Sequence, residues 1–138
     1  MTNAGEARVL SQVIPHLLAI VICDAATVEP TTGKKNLMGI FDRVITQGFP
    51  SQQACSLYVK FTDAEGFYRF EIRFVLASSD QAIAAMNGEM EVTDRLASFD
   101  LAIPFPQMPL PEAGRYEFQL RMNDVYIGRA FFDAVPRS

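Results

Sequence analysis

One long apolar run near the N-terminus constrains the fold of this chain more than any other feature. Residues 17–28 read LLAIVICDAATV, and both alternating sets of positions are almost entirely apolar. A run of this length is too short to cross a bilayer as a helix and is typical of a β-strand that is buried on both faces. We therefore expect residues 17–28 to form a central strand of a β-sheet.

A second apolar segment follows and is expected to return beside the first. The connection EPTTGKKN is polar and contains Pro30 and Gly33, as a hairpin or a short loop does. It leads into LMGIFDRVI at residues 37–45, where Gly39 inside the strand pattern indicates a bulge or close packing. This pair of strands predicts the centre of an all-β domain.

The composition is that of one folded domain. The chain has 138 residues, of which 49% are apolar, with eleven phenylalanines and no tryptophan. This is enough to bury a core without disulfides or metal. We expect a flexible leader over residues 1–14 and a single β-sandwich domain over residues 15–138. The net charge of −4 disfavours broad attraction to nucleic acid or to anionic lipid.

Two cysteines, Cys23 and Cys55, lie inside apolar strand patterns and belong to no CxxC motif. They are predicted to be buried free thiols, which indicates a reducing compartment and a cytoplasmic protein. Export is the alternative, because residues 13–23 are apolar and two alanines follow them, but no basic segment comes before. No stretch has the length of a transmembrane helix, so no membrane partner is expected.

Alternation continues along the chain and predicts about eight strands with few or no helices. Residues 79–88 also fit a short capped helix, but a strand period is sustained across them and we favour a strand. Four prolines within residues 104–111 end one strand and predict a stiff connection across one end of the domain. A two-sheet, immunoglobulin-like β-sandwich is expected, with a closed barrel as the alternative.

The sequence offers little that supports catalysis, a cofactor or a metal. His16 is the only histidine, the cysteines lie on different predicted strands, and no phosphate-binding loop or nucleophile turn is present. No catalytic, cofactor-binding or metal residue is therefore predicted. An enzyme that uses Asp24, Asp42 and His16 is an alternative, and it requires these side chains to meet in one pocket.

Carboxylates near predicted strand ends keep a calcium site open as an alternative, although they lack the spacing of a calcium loop. These are Asp63, Glu65, Asp80, Asp94, Asp100 and Asp124. A sugar-binding face built from tyrosines is a less favoured alternative, because three of the four tyrosines fall in the same alternating set of positions as core residues. The four are Tyr58, Tyr68, Tyr116 and Tyr126.

Asp24, at the end of the first apolar run, and Asp42 with Arg43, in the second, are interpreted as a structural polar latch. A carboxylate in an apolar strand more often accepts backbone N–H groups or pairs with an arginine than acts as a base. We expect an Asp–Arg contact across the sheet. Asp42→Ala should then lower stability more than any activity.

Apolar side chains in the proline-rich segment are the candidate interaction surface. Phe105, Met108 and Leu110 lie on a stiff backbone that would present them with little ordering cost. Phenylalanine and methionine are also common in interface cores. The alternative is that these side chains plug one end of the sandwich.

Arginines on two predicted strands could form a second contact face if the strands are neighbours. They are Arg69, Arg73, Arg115 and Arg121. Because Glu71 and Glu117 are interleaved with them, a solvated cross-strand lattice of charges is favoured instead.

The order of several short motifs resembles a family of uncharacterised bacterial β-sandwich proteins. The motifs are LAIVICD, a TGK turn, LMGIFDRV, an FP turn, LYVKFTDAEGFYRF and the terminal GRYEFQLRMND hairpin. They cover nearly all of the chain after Pro15, and the most specific are Cys23-Asp24 and residues 39–43. The resemblance implies the fold and a bacterial source, and it implies no activity, cofactor or site residue.

The sequence therefore favours a noncatalytic accessory or assembly module that binds another protein or a second copy of itself. Such a module would show an exposed apolar patch at residues 105–110 or an unprotected edge strand. The alternative is a β-sandwich that binds a small ligand, a carbohydrate or calcium.

Overall fold

Nine β-strands carry the fold of residues 8–138, the part of the chain that this computed structural model describes. In chain order they are β1 (His16–Val28), β2 (Lys35–Ile40), β3 (Arg43–Thr46), β4 (Ser51–Thr62), β5 (Gly66–Leu76), β6 (Gln81–Val92), β7 (Phe99–Leu110), β8 (Gly114–Met122) and β9 (Val125–Pro136). One sheet has the strand order β2-β1-β4-β7 and the other β3-β9-β8-β5-β6. The predicted two-sheet β-sandwich is confirmed.

The core lies between the two sheets and follows the predicted alternation. On β5 and β8, which pair antiparallel, apolar side chains face inward and charged ones face outward. The Phe74 ring stacks on Tyr116, with centroids 5.3 Å apart, and contacts Phe118 at 4.8 Å. Such aromatic packing supplies much of the apolar area that stabilises a small domain.

β1 lies inside its sheet, but the expectation that it is buried on both faces is wrong. Leu18 is 48% exposed, because no further layer covers the outer face at this end of the strand, whereas the adjacent Ile22 and Cys23 are both buried. An irregularity explains part of the apolar pattern at the start of β1. A register shift between Leu17 and Ala19 exchanges the inward and outward sets, so that Leu17 and Ile20 both pack on the core.

The segment at residues 37–45 was predicted to be one strand and is in fact divided between the two sheets. β2 pairs antiparallel with β1, whereas β3 pairs parallel with β9. Phe41, in the crossover, packs edge-on against Phe132 with centroids 5.7 Å apart, which fixes the chain as it changes sheet. Gly39 has a φ of +69°, and its missing side chain leaves room for Asp24, so the predicted close packing is confirmed.

β7 runs through the proline-rich segment, so the predicted end of a strand before Pro104 is wrong. Pro104 lies opposite Ser56 and Pro109 opposite Gln52 in the pairing with β4. A proline lacks the N–H group that an inner strand needs, but β7 is the last strand of its sheet. The edge position therefore tolerates prolines that would break a central strand.

Residues 81–92 form β6, which pairs antiparallel with β5, and the preference for a strand over a helix at residues 79–88 is confirmed. No helix of the described residues could cross a membrane.

The predicted leader is described only in part, because residues 1–7 lie outside the described residues. Ser11 donates its backbone N–H to the carbonyl of Phe67 at 2.9 Å. The Tyr68 hydroxyl donates to the carbonyl of Val13 at 2.8 Å. The segment just before β1 therefore lies along the start of β5.

Candidate functional site

An apolar groove opens on one side of the sandwich, between β6 and β7. These two strands end their respective sheets, so no further strand closes this side. The groove encloses about 290 Å³, and we call it the β6–β7 groove. Its walls include Ile72, Ala84, Met86, Phe105, Met108 and Phe118.

Two of the three predicted interaction residues lie in this groove. Phe105 is half-buried and packs on the buried ring of Phe118, with centroids 5.0 Å apart. Met108 is only 4% exposed and forms part of the floor. Leu110 is completely buried and belongs to the core. β7 thus forms one wall of the groove, and its last residue, Leu110, packs in the core.

The opposite wall is β6, whose outer edge pairs with no other strand of residues 8–138. The other three strands that end the sheets are blocked or short: β7 contains prolines, β2 has six residues and β3 has four. β6 has twelve residues and neither proline nor lysine. Prolines, lysines and short length usually prevent edge pairing, and the only such device in β6 is the irregularity in its pairing opposite Phe74 and Val75. Within residues 8–138, β6 is therefore the least protected edge.

The outer face of the five-stranded sheet is a cross-strand lattice of charges. Arg115 contacts Asp133 at 2.8 Å, and Arg69 lies 3.6 Å from Glu89. The hydrogen bond from Arg115 holds the pKa of the Asp133 carboxyl below its usual value. Each of these exposed pairs contributes little stability. Together they form the charge lattice that the sequence favours, and not a separate basic face.

Two charges beside β6 stand outside this lattice. Arg73 lies opposite Ala85 and Glu71 lies opposite Asn87 in the pairing of β5 with β6. Both are half-buried, and within residues 8–138 neither forms an ion pair. Glu71 also lies opposite Arg121 in the pairing of β5 with β8.

A polar network lies on the outer face of the four-stranded sheet. Lys35 on β2 contacts Asp100 on β7 at 2.5 Å, and the Tyr58 hydroxyl donates to the same carboxylate at 2.9 Å. Since β2 and β7 are not neighbours, the β1–β2 hairpin must lie across the outer face to make this contact. No sequence pattern predicts this contact, because it depends on how the hairpin bends.

The network shifts the pKa values of its members. Burial alone would raise the pKa of Asp100, but hydrogen bonds from Lys35 and Tyr58 outweigh it and hold that pKa below its usual value. Burial, together with the hydrogen bond to Asp100, raises the pKa of Tyr58 to about 12. Asp100 is thus a structural carboxylate that stays charged at neutral pH.

The predicted latch residues do not form the expected Asp–Arg contact. Asp24, Asp42 and Arg43 are exposed, and within residues 8–138 none of them forms an ion pair. The chain changes sheet at Asp42, so Arg43 lies in the sheet that does not contain Asp24. Asp42 acts through its backbone carbonyl, which accepts the N–H of Asp133 at 2.9 Å.

His16 does not join these carboxylates. It opens β1, opposite Thr62, and lies eight residues before Asp24 on the same strand. At about 3.3 Å per residue this separation is roughly 26 Å along the strand, which is too far for a shared pocket.

Cys23 and Cys55 are free and buried, as predicted. Burial, with smaller effects of Cys23 and Asp24, raises the pKa of the Cys55 thiol to about 12. Burial also raises the pKa of Cys23. A thiol is a nucleophile only as a thiolate, so neither group is activated for chemistry.

The described residues contain no group of three His, Cys, Asp or Glu side chains that could hold a metal ion. Tyr68 and Tyr116 are core residues, and Tyr58 is bonded to Asp100. The tyrosines therefore do not form one aromatic face.

A second apolar depression, of about 380 Å³, lies on the opposite side of the sandwich. Ile40 is 66% exposed there, beside Val21 and Phe131. The Arg115 guanidinium covers the Phe131 ring at 3.8 Å. This surface lies beside the β2–β3 crossover and has no long free strand edge of its own.

Comparison with known proteins places the chain in a group whose role is open. The model of a protein family of unknown function matches residues 18–134, from the start of β1 into β9. No curated protein matches the sequence. The match therefore supplies no residue role or activity.

Proposed function

Because the chain belongs to the family of unknown function DUF6941, we propose its role from its own geometry. It is a noncatalytic protein-interaction module that takes up an extended protein segment at β6. The observation that carries this proposal is the β6–β7 groove beside a free, twelve-residue edge strand.

Strand addition explains why the groove and the edge lie together. A segment that pairs with β6 gains main-chain hydrogen bonds, and every second side chain points toward the inner face. At β6 that face adjoins the groove, where Met86 and Phe105 form apolar walls. The backbone pairing provides affinity, and the groove selects for apolar side chains.

The size of the groove fits side chains better than a whole ligand. Its 290 Å³ lies just below the range of roughly 300–1,000 Å³ that is usual for small-molecule pockets. Burial of one large apolar side chain contributes about 1.5–3 kcal/mol. With a few hydrogen bonds, and after the cost of association, a dissociation constant in the micromolar range is expected.

We place this module in the bacterial cytoplasm. Two observations support that placement: the buried free thiols Cys23 and Cys55, which suit a reducing compartment, and the motifs that resemble bacterial sandwich proteins.

The test is capture of a partner by matched variants. Met86→Lys places a charge at the half-buried inner position of β6, and Met38→Lys makes the same change on β2, where Met38 is 46% exposed. The tagged wild-type chain and both variants are incubated with a lysate of the source organism, and bound proteins are identified by mass spectrometry. Circular dichroism melting confirms that each variant is folded.

The proposal predicts a stoichiometric partner, or further copies of the chain, bound to wild type and to Met38→Lys and lost with Met86→Lys. No stoichiometric partner on the wild type, or a partner that binds Met86→Lys equally well, would contradict it.

A further inference from the structure

We propose that residues 24–38, the tip of the β1–β2 hairpin, form a strap that opens as a unit and uncovers the side chains of Cys23 and Ser56. The Lys35–Asp100 ion pair holds this strap closed. The strap lies on the outer face of the four-stranded sheet, and its opening does not depend on the proposed role of β6.

The strap lies over the outer face because β1 curls after Cys23. The pairing of β1 with β4 ends where Cys23 lies opposite Ser56, and residues 25–28 pair only with β2. Cα atoms of β1 and β7 come within 8 Å of each other, although β4 lies between these strands. In a flat sheet, two strand spacings would keep them about 9.5 Å apart. The hairpin is therefore a two-stranded ribbon that leaves the sheet and folds back across it.

Two outward-facing side chains show what the strap covers. Cys23 and Ser56 lie opposite each other and point away from their core neighbours Ile22 and Leu57. Even so, Cys23 is completely buried and Ser56 is only 7% exposed. The Cys23 thiol donates to the carbonyl of Ala25 at 3.3 Å, whereas residues two apart in an extended strand are separated by about 6.6 Å. The backbone of the strap therefore lies directly on this thiol.

The strap joins the sheet at Asp24 and Gly39, where the ladder between β1 and β2 is interrupted. The pairs on either side are present, but Asp24 and Gly39 do not pair with each other. Gly39 has a φ of +69°, and the Asp24 carboxylate fills the space that a side chain at position 39 would need. A small residue in an unpaired position is suited to absorb the backbone rotation of a hinge.

One contact anchors the strap to the rest of the domain. No residue of the strap belongs to the hydrophobic core. Within residues 8–138, Lys35 makes the only side-chain hydrogen bond or ion pair between the strap and β3–β9, to Asp100 at 2.5 Å. A segment with few buried apolar contacts opens at a lower free energy than the whole domain unfolds. The strap should therefore open while the two sheets stay packed.

Iodoacetamide labelling of the folded chain, followed for each cysteine by peptide mass spectrometry, tests this opening. Cys23 should react when the strap opens, whereas Cys55, in the core, should react only through global unfolding. Cys23 should therefore be labelled more than about tenfold faster. Its rate should also change little with low concentrations of urea, because the opening exposes little surface. Equal rates with equal urea dependence for the two cysteines would overturn the inference.

Matched lysine variants test the anchor. Lys35→Met removes the ion pair and keeps an apolar stem, so it should speed the labelling of Cys23 roughly tenfold or more. Asp100→Asn should have an effect in the same direction. Lys34→Met is the control, because Lys34 is exposed and forms no ion pair within residues 8–138. An unchanged rate in both anchor variants, or an equal increase with Lys34→Met, would show that Lys35 does not hold the strap.

A core variant separates local opening from global unfolding. Leu110 is completely buried and stays packed whether the strap is open or closed. Leu110→Ala should therefore speed the labelling of Cys55 and leave the rate of Cys23 unchanged. If it speeds both cysteines equally, Cys23 reacts only through global unfolding and the strap does not open by itself.

Discussion

Gly88, on the inner face of β6, holds the edge strand against the core, and its replacement by alanine gives a sharp test of the packing. The ring of Phe70, a core residue, lies directly over Gly88. A Cβ atom at position 88 would lie 2.6 Å from Phe70 Cε2 and 3.1 Å from Cε1. Both separations are shorter than normal contacts, so the ring or the strand must move.

The size of the effect follows from this overlap. Overpacking a buried site typically costs about 1–3 kcal/mol. In a Phe70→Leu background the ring atoms that clash are absent, so the clash is relieved. The same Gly88→Ala change should then stabilise the protein by about 0.5–1 kcal/mol, because alanine loses less backbone entropy than glycine in a strand.

Urea denaturation followed by circular dichroism measures all four members of the cycle. With a slope of about 2 kcal/mol/M, Gly88→Ala should lower the midpoint by about 0.5–1.5 M in wild type and raise it slightly in Phe70→Leu. Gly48→Ala is the control, since no atom lies within 4 Å of a Cβ there. An unchanged midpoint, or an equal loss in both backgrounds, would show that the Phe70 ring does not pack against Gly88.

Three further predictions concern the polar network, the thiols and the plug of the core. Because the pKa of folded Asp100 is lowered, its stabilisation is present above the unfolded pKa of about 3.9 and is lost as pH falls through the folded value. The stability gap between wild type and Asp100→Asn should therefore be full at neutral pH and close in acid, and a gap independent of pH would contradict this. Cys55, with a pKa of about 12, should resist iodoacetamide until the protein unfolds, and rapid native labelling at this residue would count against its burial. Leu110→Ala should cost about 2–5 kcal/mol in urea melts, whereas Leu96→Ala, at a site that is 93% exposed, should change stability little, and similar losses would disprove the assignment of Leu110 to the core.

Local alternation carried much of the fold prediction. β5 and β8 have one charged and one apolar face, and β6 keeps a strand period through a segment that also fits a helix. These patterns depend only on which side chains must face the core, so one sequence is enough to recognise them.

The errors arose where the position of a strand in its sheet decided the outcome. The prolines of β7 are compatible with a strand only because β7 is at an edge, and the sequence of the segment does not contain that information. In the same way, the division of residues 37–45 between β2 and β3 depends on the packing of Phe41 against Phe132, far along the chain.

Only one of the two walls of the candidate site was predictable from the sequence. Phe105 and Met108 were predicted because a stiff, proline-rich backbone presents apolar side chains at little ordering cost, and they do line the β6–β7 groove. The second wall was missed, since the contact of β6 with β7 follows from the order of strands in two different sheets. Arg73 and Glu71 were predicted to belong to the charge lattice, because alternation does not show which charged side chains form ion pairs.

Amide hydrogen exchange across β6 shows directly whether this strand edge is the binding surface. Exchange is measured in the dilute chain and in the assembled state, at high protein concentration or with a captured partner. If β6 is the binding surface, residues 81–92 and the groove-facing part of β7 gain protection on assembly, while β2 and β3 do not. Protection confined to β2, β3 or the depression at Ile40, with β6 unchanged, would contradict it.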